Sequence, residues 1–198
     1  MVRIIGITGG IASGKSTVTE FLRRQDYQVI DADQVVHDLQ EPGGRLYQAL
    51  LSAFGPAILQ EDGRLDRPKL GAMIFGNPEL MARSSQIQNR IIREELAGRR
   101  GLLAEKEDIF FMDLPLLFEL QYEDWFDQIW LVDVTEETQL IRLMTRNALR
   151  QEEAEKRIAA QLSLREKRKR ADVLIDNNGS LEQTRQQLRD ALQKLERR

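Results

Sequence analysis

The chain has 198 residues, enough for one well-packed core and short for two independent ones. Its composition, 41% apolar and 31% charged, is that of an ordinary globular protein and argues against a disordered chain. A formal net charge of -3 gives no global positive field to draw the molecule to nucleic acid or an anionic membrane, and the absence of cysteine excludes disulfides, thiolate metal sites and cysteine nucleophiles.

The first element expected is a buried strand over residues 2–8, a β-branched apolar run closed by Gly9 and Gly10. That run is too short for a signal-peptide core, and no later apolar run approaches the ~18 residues of a membrane span, so a cytoplasmic protein is the expectation. Gly9-Gly10-Ile11-Ala12-Ser13-Gly14-Lys15-Ser16 follows at once and fits G-x-x-x-x-G-K-[ST]. A helix over residues 16–24 comes next, with Val18, Phe21 and Leu22 at helical spacing.

Strand, glycine loop and helix in that order have a physical purpose. Successive main-chain N–H groups curl around a phosphate, and the helix N-terminus adds positive potential. Lys15 is then placed to reach the β- and γ-phosphates, the Ser16 hydroxyl to hold Mg2+, and Thr17 to reach the α-phosphate. The pattern implies ATP or another nucleoside triphosphate, without saying what is done with it.

A second strand over residues 29–31 ends in Asp31 and Asp33. A carboxylate of ordinary acidity, pKa ~3.9, cannot fully deprotonate a sugar hydroxyl in the ground state. It can accept that hydroxyl's hydrogen bond, aim it, and take the proton late. Asp33 suits this role and equally suits a helix cap. His37, the one histidine, reads in isolation as a surface imidazole. Residues 33–100 read as mostly helix, broken at Pro42-Gly43-Gly44, Gly55-Pro56, Asp62-Gly63 and Asn77-Pro78.

Strands return at 109–112, closing on Asp113, and at 129–134. A helix over 136–146 carries Arg142 and Arg146 four apart, on one face, with Arg150 extending the row if the helix continues. Arginines folded over a transferring phosphoryl group stabilise its charge; a solvated face fits the pair as well. Residues 151–169 read as one further helix. Its basic run Arg165-Glu166-Lys167-Arg168-Lys169-Arg170, without interleaved aromatics, reads as a solvated face. A short strand over 173–175, the Asn178-Gly179 turn and a closing helix over 181–195 complete the chain.

Alternating strands and helices imply an α/β fold with a parallel sheet covered on both faces and ligands at the strands' carboxyl ends. The expected architecture is a single three-layer P-loop kinase domain. Its core covers about 1–35, 105–145 and 170–198, with a helical acceptor-binding insertion over about 36–104 and a lid over about 146–169. No guanine-reading N-K-x-D segment is present, which argues against a GTP switch protein.

Taken together these blocks resemble the dephospho-coenzyme A kinase family over nearly the whole chain. Ile7-Thr8-Gly9-Gly10-Ile11-Ala12-Ser13-Gly14-Lys15-Ser16-Thr17-Val18 is similar to its phosphate loop, with Ala12 where glycine is usual. Asp31-Ala32-Asp33 with His37 is similar to its acceptor motif, and Asp62-Gly63-Arg64-Leu65-Asp66-Arg67 to its helical insertion. Further likeness lies in Pro115-Leu116-Leu117-Phe118-Glu119, in Gln139-Leu140 with Arg142 and Arg146, in Arg157-Ile158 with Ala160-Gln161, and in the stretch from Ala171 to Gly179. One departure is Asn89-Arg90, where the family usually has His-Pro.

The resemblance implies transfer of the ATP γ-phosphoryl group, with Mg2+, to the ribose 3′-hydroxyl of dephospho-coenzyme A. It implies that Asp33 orients the hydroxyl and that Lys15, Arg142 and Arg146 neutralise the transferring group. Asn177 would lie beside the adenine, and His37 with Leu114, Pro115, Leu116, Leu117 and Phe118 would line the acceptor pocket. Asp113 would hold Mg2+ through water or cap the following segment. The expected partners are small molecules, not nucleic acid or membrane, for a monomer or weak homo-oligomer. The rivals are another P-loop kinase, such as a nucleoside monophosphate kinase, and a non-catalytic ATP-binding regulator.

Overall fold

The computed structural model describes residues 2–197. The chain divides into two compact units, Met1–Val29 with Ala104–Arg198, and Ile30–Leu103.

The first unit is built on a parallel sheet. Strands β1 (Arg3–Gly9), β2 (Val29–Asp31), β3 (Ile109–Asp113), β4 (Gln128–Asp133) and β5 (Val173–Asp176) run in the order β2-β3-β1-β4-β5. Register places Ile7 beside Asp113 and Gly9 beside Val132, so the carboxyl ends of the central strands lie along one edge. On one face Ile5, Ile7, Phe111, Trp130 and Val132 pack against Val18 and Leu22 of α1 (Lys15–Arg24) and Leu188 and Leu192 of the closing helix (Leu181–Glu196). Edge-on ring contacts link Tyr27, Phe111 and Trp130 at 5.4 and 5.3 Å. Helix α1 stops where Asp26 turns left-handed and the Tyr27 N–H reaches back to the Leu22 carbonyl, which satisfies an orphan acceptor of the last turn.

The second unit is helical: α2 (Ala32–Gln40), α3 (Arg45–Phe54), α4 (Arg67–Ile74) and α5 (Pro78–Ala104). Its boundaries follow the expected breakers. Asp31 caps α2 by accepting from the Asp33 and Gln34 N–H groups, Asp66 caps α4, and Asn77 accepts from Glu79 and Leu80 at the start of α5. Leu46, Leu50, Ile58, Leu65, Ile91 and Leu96 are buried in this unit. Asn89 and Arg90 lie in the interior of α5, so they shape no helix start.

After β4 come α6 (Glu136–Asn147), α7 (Gln151–Ala159), α8 (Leu164–Arg168) and then, beyond β5, α9 (Leu181–Glu196). Two expectations are corrected here. Residues 151–169 form two helices, because Ser163 opens α8 by accepting from the Glu166 N–H. Arg150 does not extend the arginine row: α6 ends at Asn147, Ala148 turns left-handed, and the Arg150 N–H donates to Glu153 at the head of α7.

Candidate active site

The phosphate loop leaves the central strand β1 and enters α1 at its open N-terminus. Gly14 caps α1 with φ 90°, a left-handed conformation, and no side chain caps the helix, so its first N–H groups are left for an anion. A Cβ on Gly14 would run into the Asn177 amide. Ala12 also sits left-handed, at φ 60°, which costs a non-glycine residue roughly 1–2 kcal/mol. Glycine, usual at this place in the resembled family, would avoid that cost.

The loop is held from behind by parts of the chain remote in sequence. The Ile11 N–H donates to Gln161 Oε1 at 3.0 Å, and the Ile11 carbonyl accepts from Gln139 Nε2 at 2.9 Å. Asn177 Nδ2 donates to the Ser13 carbonyl at 2.8 Å, while its Oδ1 accepts from Thr184 at 2.9 Å. Arg142 donates to the Asn177 carbonyl at 2.9 Å. The Ser13 hydroxyl is buried in the loop without a hydrogen-bond partner, a polar atom suited to an incoming acceptor or donor.

Lys15 is ion-paired with Asp113, whose side chain is buried at the end of β3. The Lys15 ammonium thus rests on a carboxylate at the strand ends. Arg146 is exposed and bonds the neighbouring Asn147, one turn beyond Arg142 on α6. Asp133 at the end of β4 pairs with Arg168 at 2.7 Å, and this carboxylate raises the Arg168 guanidinium above its usual pKa.

The basic run is a solvated face only in part: Arg165, Lys169 and Arg170 are exposed, and the correction falls on Lys167. Lys167 is fully buried, its ammonium donating to the carbonyls of Gly9 at 3.4 Å and Pro115 at 3.1 Å and pairing with Glu119 at 2.9 Å. Arg170 pairs with Glu123 and lies 4.6 Å from the Phe118 ring centroid. Tertiary partners have claimed charges that helical spacing alone would leave in water. Within the 114–118 segment, Leu114, Leu117 and Phe118 are buried, and Leu116 is exposed.

In the helical unit, Asp33 is exposed in the first turn of α2, and its carboxylate has no hydrogen-bond or ion-pair partner among the described residues. His37 is exposed one turn on, 3.5 Å from Glu41. Asp38 is held below the usual carboxylate range by a hydrogen bond from Gln34, with Arg99 adding to the effect. A cavity of about 290 Å³ is lined by His37, Gln40, Glu41, Gln60, Arg64 and Arg67. Sequence reasoning quoted Gln139 and Gln161 in the resembled blocks without giving them a role, and it missed the burial of Lys167. The Gly9 and Pro115 partners of Lys167 lie 158 and 52 residues away, and no local pattern marks such pairs.

The sheet order, the glycine loop between β1 and α1, and the arginines of α6 define a P-loop kinase. Among known proteins, the sequence model of the CoaE family, dephospho-CoA kinase, matches residues 3–183. A dephospho-CoA kinase from Streptococcus mutans is 59% identical over 99% of both chains. A solved structure from Thermus thermophilus superposes with TM-score 0.82 at 34% identity, covering 98% of both chains, and a dephospho-CoA kinase from Campylobacter jejuni with TM-score 0.76 at 28% identity and the same coverage. The chain belongs to the dephospho-CoA kinase family.

Proposed function

We propose that this kinase moves the γ-phosphoryl group of ATP to the ribose 3′-hydroxyl of dephospho-coenzyme A, yielding ADP and coenzyme A. The observation that carries this reading is a phosphate loop already fixed in shape, in a chain matched by that family across residues 3–183.

The N–H groups of Gly14, Lys15 and Ser16 cradle the phosphates, and Lys15 shares its ammonium between Asp113 and the triphosphate. Asp33 accepts the hydrogen bond of the 3′-hydroxyl. As the oxygen bonds to the γ-phosphorus, the bond from that phosphorus to the β,γ-bridging oxygen breaks, and Asp33 takes the proton late. Lys15, Arg142 and Arg146 offset charge on the equatorial oxygens. Asn177 supports the loop on the nucleotide side. Mg2+ would be carried by the triphosphate, the Ser16 hydroxyl would hold it, and it would supply neutralisation of the β- and γ-oxygens. We assign acceptor contacts to His37 in the helical unit and, separately, to residues 114–118 in the sheet unit; beside His37, Arg64 and Arg67 line the same cavity and offer a diphosphate two guanidinium groups.

No helix among the described residues is long and apolar enough to cross a membrane. We place the reaction in the cytoplasm, to which a cysteine-free chain is suited, with the enzyme a monomer or weak homo-oligomer. The test is an acceptor panel with ATP and Mg2+, scoring dephospho-coenzyme A against nucleoside monophosphates and locating the new phosphate by 31P NMR. A 3′-phosphomonoester on coenzyme A is expected. Robust monophosphate turnover without coenzyme A formation would overturn the assignment.

A further inference from the structure

Ile11 is gripped at both of its main-chain polar groups, by side chains from two different elements. Gln139, on α6, is buried and donates to the Ile11 carbonyl at 2.9 Å. Gln161, in the turn between α7 and α8, accepts from the Ile11 N–H at 3.0 Å. The next residue, Ala12, is held left-handed at φ 60°, a conformation a side chain resists. A strained residue persists only where its surroundings over-determine it. Before Ala12 stand the two glutamines; after it the Ser13 N–H donates to the Gly10 carbonyl at 3.1 Å, and the Ser13 carbonyl accepts from Asn177. A Cβ on Gly10 would press on the Gln139 amide and on Leu164, so Gln139 would have to shift.

We propose that Gln139 and Gln161 are positioning residues for phosphoryl transfer. By fixing Ile11 they hold Ala12 left-handed, and so keep the N–H groups that follow aimed at the triphosphate. Neither side chain needs to touch the nucleotide. The inference deepens the kinase reading and rests on the phosphate loop binding a triphosphate. It also ties the loop to the turn that separates α7 from α8, so a movement of that turn is felt at Ile11. Without the pair, Ala12 relaxes to an ordinary right-handed or extended conformation, and the cradle opens until ATP pays to close it.

Glycine adopts the left-handed conformation freely, and this gives the test its sign. Equilibrium binding of a non-hydrolysable ATP analogue is measured by calorimetry for Gln161→Ala and Gln139→Ala, each in the Ala12 parent and in Ala12→Gly. Losing one such hydrogen bond is expected to weaken analogue binding about tenfold in the Ala12 parent. In the Ala12→Gly background the same losses shrink to about threefold or less, because the loop no longer needs forcing. The KM for dephospho-coenzyme A should stay within about twofold throughout. A merely structural role would lower the active fraction and leave analogue affinity unchanged. Unchanged affinity, or equal losses in both backgrounds, would overturn the proposal. Since the analogue is read without acceptor, failure here is separable from failure of the acceptor assignment.

Discussion

Around residues 9–16 the carbonyls of Gly9 and Ser13 and both polar groups of Ile11 are held by Lys167, Asn177, Gln139 and Gln161. In the helical unit, by contrast, Asp33 and His37 stand exposed on α2, and Asp33 has no side-chain partner among the described residues. The difference is what the proposed roles of the two groups call for. Main-chain dipoles stabilise developing charge best when they need no reorganisation, so the protein fixes them in advance. A proton acceptor has to be open to the hydroxyl it receives, and a partner of its own would compete for that place. Substitutions in the two regions should therefore fail differently.

The largest effect is expected at Lys15. Lys15→Ala should slow turnover about a hundredfold or more, the usual loss when one charge-stabilising group is removed. It should also lower the melting midpoint, because the buried Asp113 loses its ammonium. Turnover assays beside thermal denaturation check both; full turnover would break the account of the loop.

Next come two cations whose loss sharpens the contrast. Lys167→Met removes a fully buried ammonium from Glu119 and two carbonyls, and should cost about 3–5 kcal/mol in urea unfolding. Arg45→Met removes an exposed pair with Glu94 in the helical unit and should cost about 0–1 kcal/mol. Similar costs would erase the distinction between the two regions.

The smallest effect is a pH dependence in the sheet unit. Burial, reinforced by the Glu196 carboxylate 2.6 Å away, pushes the Tyr27 phenol up to about 12 from its ordinary 10.0. A raised folded-state value favours the neutral phenol, so this stabilisation is complete below pH 10 and is lost as pH rises from 10 to about 12. Tyr27→Phe should lack that share of the alkaline loss, read as the difference between the two unfolding profiles.

Much of the fold was legible because its signals are local. The breakers at residues 42–44 and 62–63 fall between helices, those at 55–56 and 77–78 end in a proline that opens the next helix, and the glycine loop sits between β1 and α1 as its chemistry requires. The divided helix over residues 151–169 was legible too, in principle. Ser163 with Glu166 three residues on is the pattern of a helix start, hidden by the strong helix formers around it. Burial of Lys167 had no such signal, because its acceptors come from β1, the segment after β3 and Glu119. The grip on Ile11 is equally silent, since glutamine reads the same on a solvated helix as behind a phosphate loop.

The division of labour between a prebuilt phosphate cradle and an open proton acceptor is tested most directly by Asp33→Asn. Binding of a non-hydrolysable ATP analogue and the melting midpoint should both match the parent, while coenzyme A formation from dephospho-coenzyme A slows about a hundredfold or more. Turnover within a few-fold of the parent would remove Asp33 from the chemistry and contradict the account.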